Sequence, residues 1–544
     1  MQDITIRNAS LADAPRILEI YAWYVEHTVI TFEYDVPSLE EFEGRMRRTM
    51  QKYPYLVIER DGRVEGYAYA GSFVGRAAYD WACELTIYLD HDARKHGMGR
   101  ALYEALADRL QATFKLIVLG FAAVIFVGAL LLMLPVSSVS GTQTPFHEAL
   151  FTSVSAVCVT GLVVQDTGSY WSSFGQAVIL LLIQTGGLGV ITVAVSFAIL
   201  SGRKISLMQR STMQDAISAP KIGGIVRLTK FSVQGTLFIE LLGMTAMLPV
   251  FFRDYGIKGI WMAAFHSVSA FCNAGFDLLG TSNQPFVSLS RYIANPLINL
   301  VIMLLIIIGG IGFLTWDDIC THKWHIRRYR VQSKVILWTS ALLIIIPAVF
   351  FFVVDFTGSS TGTRLLASTF QSVTTRTAGF NTADLTAMTP TSKSVMILLM
   401  LIGGSPGSTA GGMKTTTFAV LILNMVATFC QKEDIEIFGR RLDSHAIKNA
   451  ATIVALYIIL FFIGGIAISS IEHLPLLDCL FETASAVGTV GLTLGITPTL
   501  GIPSQLILIL LMFFGRVGGL TLIYAAISVK QNGVKLPLEK ITVG

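Results

Sequence analysis

The sequence has few charged residues for its length. Asp, Glu, Lys and Arg make up 14% of the 544 residues, whereas 53% are hydrophobic and the mean hydropathy is +0.63. Soluble domains carry roughly 25% charged residues, so a soluble enzyme, a disordered chain and a coiled coil are not expected for the whole protein. Residues 1–110 hold 31 of the charged residues, and in residues 111–544 the charged share falls to about 10%. This contrast predicts a globular segment, 1–110, joined to a membrane-embedded one, 111–544.

Cysteine is scarce as well. The six cysteines are scattered, form no C-x-x-C pair and follow no secretory signal. We therefore expect reduced thiols, and neither a disulfide framework nor a metal site. A Gly/Ser/Pro-rich linker is also lacking, because residues 107–115 run directly into the apolar residues 116–121. The sequence has no Cys/His cluster either, which argues against a soft transition metal as the ligand.

Long apolar runs dominate residues 111–544. A transmembrane helix needs about 20 mostly apolar residues. Eight stretches meet this requirement: roughly 114–135, 174–200, 228–252, 293–316, 335–355, 395–429, 449–470 and 504–528. A semi-polar segment of 10–13 residues lies between the first and second stretches, the third and fourth, the fifth and sixth, and the seventh and eighth. Each of these segments is too short to span a membrane. Such a segment is typical of a re-entrant helix followed by a loop that lines a water-filled cavity.

Lysine and arginine are concentrated on one side of these stretches. Four segments, 201–227, 317–334, 431–448 and 529–544, carry 17 of these residues, whereas the loops on the other side carry five. Loops rich in Lys and Arg stay in the cytoplasm. We therefore expect a multi-pass protein of the cytoplasmic membrane with both termini in the cytoplasm. Segments 201–227, 317–334 and 431–448 are expected to dock a cytosolic partner or, taken residue by residue, to contact anionic lipid headgroups.

One short pattern occurs four times between the paired stretches. Each copy begins with Phe, continues with Ser, Thr and small residues, and ends just after a glycine, at 151–162, 265–276, 370–380 and 481–492. The glycines are 114, 104 and 112 residues apart. A single copy would be ordinary helix-packing sequence. Four copies at near-constant spacing favour a pore.

These glycines suit a ring of backbone oxygens. Glycine permits backbone conformations closed to other residues, so consecutive carbonyls can point at one axis and replace the water shell of a cation. The predicted fold class is an all-α membrane protein, preceded by an α/β segment. Its four pseudo-repeats of outer helix, pore helix, filter loop and inner helix are expected at about 111–205, 222–320, 331–430 and 445–530. The candidate ion ligands are Val159, Thr160, Gly161, Asn273, Ala274, Gly275, Thr377, Ala378, Gly379, Thr489, Val490 and Gly491.

The third inner helix cannot be straight. Its sequence contains Gly403, Gly404, Ser405, Pro406, Gly407, Ser408, Thr409, Gly411, Gly412 and Lys414. Non-helical backbone at membrane depth must line the pore or be buried. This segment is therefore expected to line the pore or to be buried, and a simple kink is the alternative.

Arg516 lies on the fourth inner helix with apolar residues on both sides. An arginine in a membrane span is costly and usually functional. It is therefore a candidate functional residue, and a structural arginine that reaches the interface is the alternative.

Three further polar residues lie in predicted spans or pore segments. Arg376 precedes Gly379 by three residues. It is expected to anchor the third filter loop through hydrogen bonds to carbonyls and not to bind ions, because its charge repels a cation. Glu240 and Glu482 are expected to be buried, hydrogen-bonded groups and not ion ligands. Glu482 is also a candidate partner for a basic filter residue.

Residues 111–544 resemble the Ktr/Trk/HKT superfamily of potassium transporters, and most closely its KtrB-type membrane subunits. The resemblance rests on the four glycine segments, on the break in the third inner helix and on the arginine of the fourth. It implies K⁺ uptake through one pore, with one filter glycine in each repeat, with segment 403–414 as the gate and with Arg516 as part of the barrier to ions. It also implies a homodimer with a cytosolic, nucleotide-binding ring of the RCK type (KtrA-like), and it leaves a link to Na⁺ open. Membrane lipids are expected as neighbours, and nucleic acid is not expected as a partner.

Residues 1–110 alternate strand and helix patterns. Strands are predicted at 4–7, 55–60, 63–70 and 82–89, with a hairpin around Asp61-Gly62, and helices at 13–26 and 101–110. The segment Arg94-Lys-His-Gly97-Met-Gly99-Arg100 is a glycine-containing loop at a helix N-terminus. Backbone N–H groups at such a place suit a diphosphate.

This segment resembles the GNAT acetyltransferases, specifically their phosphinothricin-acetyltransferase-like group. The resemblance implies that Arg94, Gly97, Gly99 and Arg100 would hold the diphosphate of acetyl-CoA, and that Glu84 occupies the position of a general base. In that family further strands follow the CoA-binding helix, whereas here the chain enters the membrane and leaves a sheet edge unpaired. We therefore expect a truncated, inactive segment, no enzyme and no bound acetyl-CoA. A membrane-anchored N-acetyltransferase is the alternative function.

Overall fold

The structure, a computed structural model, describes residues 4–28, 30–31, 33–50, 53–72, 83–93, 97–190, 192–193, 225–432 and 434–519. An α/β segment precedes a larger bundle of apolar helices, and each part has its own hydrophobic core. Most of the basic segment 201–227 and all of 529–544 lie outside the described residues.

The N-terminal segment is a four-stranded antiparallel sheet with helices on both faces. Strands β1 (Ile4–Asn8), β2 (Tyr55–Arg60), β3 (Arg63–Ser72) and β4 (Cys83–Leu89) lie side by side in chain order, and α1 (Ala14–His27) and α2 (Leu39–Met50) precede β2. Asp61 and Gly62 both have positive φ, 51° and 79°, as a tight two-residue hairpin turn requires. The predicted strands are present. Helix α2 was not predicted, because its run of Glu and Arg buries only Phe42 and Met46.

One helix joins the two parts of the molecule. Helix α3 (Met98–Leu132) runs for 35 residues without a break, about 52 Å at 1.5 Å per residue. Its first turns pack Leu102 and Leu106 against the sheet, and its later turns pack Ile125 into the core of the apolar helices. The prediction of a helix that stops at residue 110, with a separate span from 114, was wrong. Residues 107–119 contain neither Gly nor Pro, so nothing in the chain ends the helix there.

The apolar part repeats one arrangement of a long helix, a short helix, a glycine loop and an inner helix. The long helices are α3, α6 (Ile225–Tyr255), α10 (Val331–Val354) and α14 (Ser444–Glu472). The short helices are α4 (Phe146–Val157), α7 (Lys258–Phe271), α11 (Thr361–Thr374) and α15 (Leu476–Gly488). The inner helices are α5 (Ser173–Leu188), α8 (Pro296–Gly310) with α9 (Phe313–His322), α12 (Pro390–Leu401) with α13 (Thr415–Phe429), and α16 (Ile502–Val517). A two-stranded hairpin, β5 (Glu436–Ile437) and β6 (Arg440–Arg441), lies between α13 and α14.

Among the described residues, three helices are long and apolar enough to span a membrane by themselves, and they lie in α6, α10 and α14. Helices α8 and α9 pass the same test only as a pair, and they are bent by 98° at a short break. Shorter apolar helices lie in α3, α5, α12, α13 and α16. The predicted stretches 293–316 and 395–429 are therefore not single straight spans.

Every inner helix is broken at a corresponding place. Helix α5 ends before Gly189, α8 before Gly312 and α16 before Gly518, and these glycines share φ of 88–92° with ψ of 131–144°. Residues with a side chain rarely adopt such a φ. The sequence predicted a break only in the third inner helix, after α12. The signal missed in the other three is a set of three glycines within five residues.

Candidate functional site

The four glycines of the repeated pattern lie side by side. A Cβ atom on any of them would lie within 2.6 Å of a carbonyl oxygen in the next loop. The pairs are Gly161 with Ala274 (2.3 Å), Gly275 with Ala378 (2.6 Å), Gly379 with Val490 (2.3 Å) and Gly491 with Thr160 (2.1 Å). Each loop therefore contacts the next in chain order, and the fourth contacts the first. The four glycine loops (159–161, 273–275, 377–379 and 489–491) close a ring in which only glycine fits.

The backbone of these loops alternates in handedness. Positive φ occurs at each glycine and at the residue two before it: Val159 (50°), Asn273 (57°), Thr377 (81°) and Thr489 (50°). The residue between them has negative φ, and this alternation turns consecutive carbonyl groups toward the same side of the chain. Within the described part of the chain, no hydrogen bond reaches the carbonyl oxygens of these twelve residues. The loops thus present unpaired oxygens, as an ion-binding ring requires.

A hydroxyl side chain in each short helix holds the glycine loop that follows. In two units the hydroxyl accepts a hydrogen bond from the glycine N–H: Ser155 from Gly161 (3.0 Å) and Ser485 from Gly491 (2.9 Å). In the other two it donates to the carbonyl after the glycine: Ser269 to Phe276 (2.8 Å) and Thr374 to Phe380 (2.7 Å). Sequence reasoning missed these four hydroxyls, although each is the fifth residue of the repeated pattern.

A second hydroxyl anchors each short helix to the long helix of its own unit. The third residue of the pattern donates to a backbone carbonyl: Ser153 to Ile125 (2.7 Å), Ser267 to Glu240 (2.6 Å), Ser372 to Ile344 (2.6 Å) and Thr483 to Phe461 (3.3 Å). All four hydroxyl residues are fully buried. A contact that recurs in this way fixes the depth at which each glycine loop sits.

Segment 403–414 is tied to the break between α8 and α9. The N–H groups of Ser405 and Thr409 donate to the carbonyls of Gly310 (3.0 Å) and Gly309 (3.3 Å). The N–H of Phe313 donates back to a carbonyl of the segment (2.8 Å). The break in the second inner helix therefore frees backbone groups that the segment satisfies.

The same segment reaches beneath two opposite loops of the ring. Asn273 Nδ2 donates to Thr409 Oγ1 (3.0 Å), and that hydroxyl donates to the carbonyl of Phe271 (3.0 Å). In the fourth unit, a Cβ atom on Gly411 would lie 2.2 Å from Thr489 Oγ1. The second and fourth loops do not adjoin in the ring. The segment therefore crosses below it.

The remaining predicted gate residues also make backbone contacts there. Gly403 N–H donates to Met413 O (2.7 Å), Gly404 N–H to Gly411 O (3.3 Å), Gly412 N–H to Gly515 O (3.1 Å), and the carbonyl of Gly407 accepts from Phe313. Ser408 Oγ donates to Ser405 O (2.7 Å) and Lys414 Nζ to Ala410 O (2.8 Å). The carbonyl of Pro406 would lie 2.6 Å from a Cβ atom on Gly312.

Arg516 links three units through its guanidinium. It donates to the carbonyl of Thr409 in segment 403–414, and to those of Gly186 and Gly187 (3.1 Å for the latter) at the end of α5. No salt bridge of the described residues includes Arg516. Its positive charge is thus held next to the segment by backbone dipoles and not by a carboxylate.

Arg376 anchors the third filter loop through a hydrogen bond to a carbonyl, as predicted. Its guanidinium makes weak hydrogen bonds to the backbone (3.4 Å) and hydroxyl (3.3 Å) oxygens of Ser340, which lies on α10 and not in the filter. The long side chain extends away from the loop toward the neighbouring long helix. It therefore ties the third glycine loop to α10 from behind.

The two membrane glutamates are hydrogen-bonded, as predicted. Glu240 is buried and accepts from Gln184 Nε2 (3.2 Å). Glu482 is fully buried and accepts from the Thr493 hydroxyl (2.5 Å), the Leu494 N–H (3.0 Å) and the Thr497 hydroxyl (2.6 Å). The suggestion of a basic partner for Glu482 was wrong, because the loop after the fourth glycine supplies its donors.

In the N-terminal segment, α3 begins directly after Gly97, which has φ of 72°. Among the described residues no atom lies within 4 Å of a Cβ position on Gly97, whereas Gly99 packs against Leu89 (3.3 Å). Arg100 forms an exposed ion pair with a glutamate one turn later (2.9 Å). The Glu84 side chain and all of Arg94 lie outside the described residues. The loop at the start of α3 is therefore open to a ligand on the side of Gly97.

Comparison with known proteins agrees with this geometry. Residues 100–534 match the family model TrkH, described as cation transport protein. The potassium/sodium uptake protein NtpJ of Enterococcus hirae is 39% identical over 444 residues, which are 79% of this chain and 97% of that protein. The Ktr system potassium uptake protein B of Bacillus subtilis is 37% identical over 439 residues, 79% of this chain and 96% of that protein. The crystal structure of the potassium transporter TrkH from Vibrio parahaemolyticus shares the fold, with a TM-score of 0.60 at 20% identity over 76% of this chain and 84% of that one.

Broken apolar helices around a ring of unpaired carbonyls define a membrane cation transport protein. The chain belongs to the TrkH/Ktr family of such transporters, as the resemblance in its sequence predicted. It is accordingly a multi-pass membrane protein with a TrkH-like helical fold.

The N-terminal segment is a GNAT acetyltransferase domain. Residues 6–124 match the acetyltransferase (GNAT) domain model. The phosphinothricin N-acetyltransferase of Streptomyces viridochromogenes is 35% identical over 124 residues, which are 23% of this chain and 64% of that enzyme. The prediction that the chain is not an enzyme was therefore wrong. That prediction considered only that the later strands of the family do not follow residue 110. It did not consider the sheet that is present, which has a hydrophobic core on each face.

Proposed function

We propose that the chain is the pore-forming, ion-translocating subunit of a Ktr-type potassium-uptake system in the cytoplasmic membrane. The observation that carries this proposal is the closed ring of four glycine loops, whose carbonyl oxygens receive no hydrogen bond within the described part of the chain. Carbonyl oxygens in a ring replace the hydration shell of an alkali cation. The names of the relatives, potassium uptake and potassium/sodium uptake, support K⁺ as the cargo with Na⁺ as a second cation.

In this proposal each of the four repeats contributes one filter segment. The boundary between the two domains lies near residue 110. The short helices end at the loops, so the negative ends of their dipoles lie next to the ring and favour a cation. The buried hydroxyls of Ser155, Ser269, Thr374 and Ser485 hold the loops in place when no ion is bound. Selectivity follows from oxygens that cannot collapse onto a smaller ion.

Segment 403–414 acts as the gate in this proposal. It crosses beneath the ring and is held there by hydrogen bonds, which can break and re-form. Arg516 places a positive charge beside it, which raises the energy of a cation in a conduit of low dielectric. Movement of the segment together with Arg516 would open the path.

We further propose a homodimer with both termini in the cytoplasm, regulated by a cytosolic nucleotide-binding ring. The described basic segment 317–334 offers Arg327 and Arg328 as exposed side chains, whereas Arg330 pairs with Asp317 within the chain (2.8 Å). Charge reversal at Arg327 and Arg328 should weaken pull-down of the ring. Reversal at Arg253, exposed at the end of α6, is the control. Undiminished binding would leave these residues as lipid contacts only.

The transport proposal is tested by expressing the full chain, and residues 111–544 alone, in a bacterium deficient in potassium uptake. Both should restore growth at limiting K⁺, because the ring and the gate lie wholly after residue 132. K⁺ flux into proteoliposomes containing the purified full chain is the direct measurement. Absence of any K⁺ or Na⁺ flux from correctly folded protein would refute the proposal.

A second activity, acetyl transfer, is favoured by the match of residues 6–124 to the GNAT domain. The residues present fit the diphosphate of acetyl-CoA, since Gly97 leaves open space and the first N–H groups of α3 have no helix carbonyl to bind. Gly97, Gly99 and Arg100 would hold the cofactor, which when bound supplies the acetyl group. In this proposal α3 binds the diphosphate at one end and enters the membrane at the other.

The substitution Gly97→Asp tests this second activity. Aspartate is a good residue at a helix N-terminus and tolerates positive φ better than most, so folding should be kept, but its charge repels a diphosphate. Acetyl-CoA affinity of the full chain, measured by calorimetry, should fall about tenfold or more, equivalent to at least one phosphate contact. Gly97→Asn is the neutral, isosteric control and should bind nearly as wild type does. Equal affinity of both variants would place the cofactor elsewhere.

A further inference from the structure

The guanidinium of Arg376 has fewer hydrogen-bond partners than it has N–H groups. A guanidinium has five N–H groups, and within the described part of the chain this one makes two hydrogen bonds. Both go to Ser340 and both are long, at 3.4 and 3.3 Å. The Nε atom is buried and has no partner there. The guanidinium of Arg516, by contrast, is held by the carbonyls of three residues.

The charge of Arg376 is also unbalanced. Among the described residues Arg376 forms no salt bridge, and no charged side chain acts on it. An unpaired charge inside the membrane-embedded part of a protein is costly, and such a charge is usually paired with an opposite one. The described part of the chain does not supply the opposite charge, so a bound anion is the remaining source.

A small cavity lies beside this guanidinium. Its volume is about 20 Å³, room for one water molecule or one small ion. Arg376 and Ser340 are the polar side chains that line it, and the other lining residues are isoleucine, valine and glycine. The Ser340 hydroxyl accepts from Arg376 and, among the described residues, donates to no group. The cavity therefore has unused hydrogen-bond donors from both side chains.

The group that fits these donors is an acceptor with a negative charge. A water molecule accepts, but its own two hydrogens would face the apolar wall, and it would leave the charge of Arg376 unbalanced. A small monovalent anion accepts from the Arg376 Nε–H and from the Ser340 hydroxyl, and it balances the charge as well. A polyatomic anion such as gluconate is too large for the cavity.

We propose that Arg376 and Ser340 bind a halide ion, such as chloride, behind the third glycine loop. Arg376 precedes Gly379 by three residues. The anion would thus neutralise a positive charge that otherwise repels K⁺ from this loop. The effect on K⁺ rests on the proposed transport function, whereas binding of the anion does not. The two statements are therefore tested separately.

Thermal unfolding of the purified full chain tests binding. At constant K⁺ concentration and ionic strength, chloride or bromide in place of gluconate should raise the midpoint by about 2 °C or more. The rise should level off, because a ligand of the folded state stabilises it by mass action. Arg376→Gln should abolish the rise. Ser340→Ala should increase the chloride concentration at half-effect about three- to tenfold, the effect of losing one hydrogen bond.

The matched control is Arg364→Gln in the same unit. The Arg364 guanidinium is already bonded to the carbonyls of Phe352 (2.7 Å) and Val353 (3.3 Å), so this variant should keep the wild-type response to chloride. An equal response in Arg376→Gln would be a general salt effect and would overturn the site. No response in the wild-type chain would mean that water fills the cavity, which overturns it too.

A second pair of variants covers the case in which Arg376→Gln does not fold, as judged by size exclusion. Ser340→Thr keeps the hydroxyl that Ser340→Ala removes. A weaker response in the alanine variant, restored in the threonine variant, supports the site. Equal responses in these two variants overturn it.

K⁺ flux into proteoliposomes tests the consequence for transport. The KM for K⁺ should rise about threefold or more when gluconate replaces chloride, because the charge of Arg376 is then uncovered. Arg376→Gln should show one KM in both anions, close to the wild-type value in chloride. An equal KM in both anions for the wild-type chain would overturn the link between the anion and K⁺. Chloride binding without any cation flux would refute the transport proposal and leave the anion site standing.

Discussion

Hydrogen bonds to the end of each short helix stabilise the glycine loops of the candidate ion path. Each glycine loop has positive φ at two residues, a conformation that is costly where a side chain is present. The cost is offset by hydrogen bonds from the loop N–H groups to the end of the short helix, as between the Thr160 N–H and Ser155 O (2.8 Å). The carbonyls are thereby left free, because the N–H groups face the helix.

Removing one buried hydroxyl of the short helices should loosen one loop. In Ser485→Ala the N–H of Gly491 loses its acceptor, a buried loss of roughly 1–3 kcal/mol. We expect K⁺/Na⁺ selectivity in proteoliposome flux to fall severalfold, with transport retained. Ser485→Thr keeps the hydroxyl and should remain close to wild type. Full selectivity in the alanine variant would show that the loop is held without this bond.

The acetyltransferase domain contains a pH-sensitive contact. Arg7 makes a two-bond contact to Asp13 (2.8 and 2.7 Å), and hydrogen bonding by that guanidinium lowers the pKa of Asp13 from 3.8 to about 2. A carboxyl with a lowered pKa stabilises the folded state above its unfolded pKa, and this stability is lost as the pH falls through the folded value. The contribution is therefore complete above about pH 5 and is lost progressively as the pH falls to about 1.

Limited pepsin digestion of the full chain between pH 4.5 and pH 2 measures this loss. The domain in wild type should stay resistant to a lower pH than in Arg7→Met, whose Asp13 titrates nearer its ordinary pKa. Arg48→Met, at an exposed position on α2, is the control. Identical digestion of the Arg7 variant and wild type would show that the pair adds no stability.

At the scale of helices, the four inner breaks bring the proposed gate into position. Gly189, Gly312 and Gly518 each turn the chain with φ near 90°, and segment 403–414 fills the corresponding place in the third unit. The breaks leave backbone carbonyls without a partner in their own helix. These carbonyls accept hydrogen bonds from segment 403–414 and from Arg516. A helix that is unbroken at any of these points could not make those contacts.

Replacing Arg516 should open the path. In Arg516→Ala the charge and its three backbone contacts are lost, so K⁺ flux should rise about three- to tenfold and depend less on the cytosolic partner. Deletion within 405–411 should act in the same direction. Flux into proteoliposomes with and without the partner is the measurement, and Arg253→Ala at an exposed position serves as the control. Wild-type or lower flux from folded variants, with regulation intact, would make the segment a packing kink.

Some of these elements could be predicted from sequence and others could not. The strands, the apolar helices and the four glycines follow from alternation, from hydropathy and from the repeated pattern. The breaks at Gly189, Gly312 and Gly518 were missed, because glycine is also common in straight, closely packed membrane helices. The backbone partners of Arg516 and the contact of Asn273 with Thr409 join residues more than 100 positions apart, and no local pattern indicates them.

For the whole molecule, helix α3 is the element that connects the two domains. It completes the core of the acetyltransferase domain at its start, and it is the long helix of the first transport unit at its end. The two family matches, 6–124 and 100–534, accordingly overlap on this helix. Composition alone predicts a sharp boundary near residue 110, because charge content changes there even though the helix does not. One continuous helix thus belongs to two domains that match different families.

The central claim is that four distant glycines form one cation filter, and selectivity is its most direct measure. Each of Gly161→Ala, Gly275→Ala, Gly379→Ala and Gly491→Ala puts a Cβ atom within 2.6 Å of a neighbouring carbonyl. K⁺/Na⁺ selectivity should therefore fall in all four when flux is measured in proteoliposomes, with Gly141→Ala, which has open space around it, as the control. Comparable losses at all four positions are the predicted result. Unchanged selectivity in all four folded variants would contradict the filter and the transport mechanism built on it.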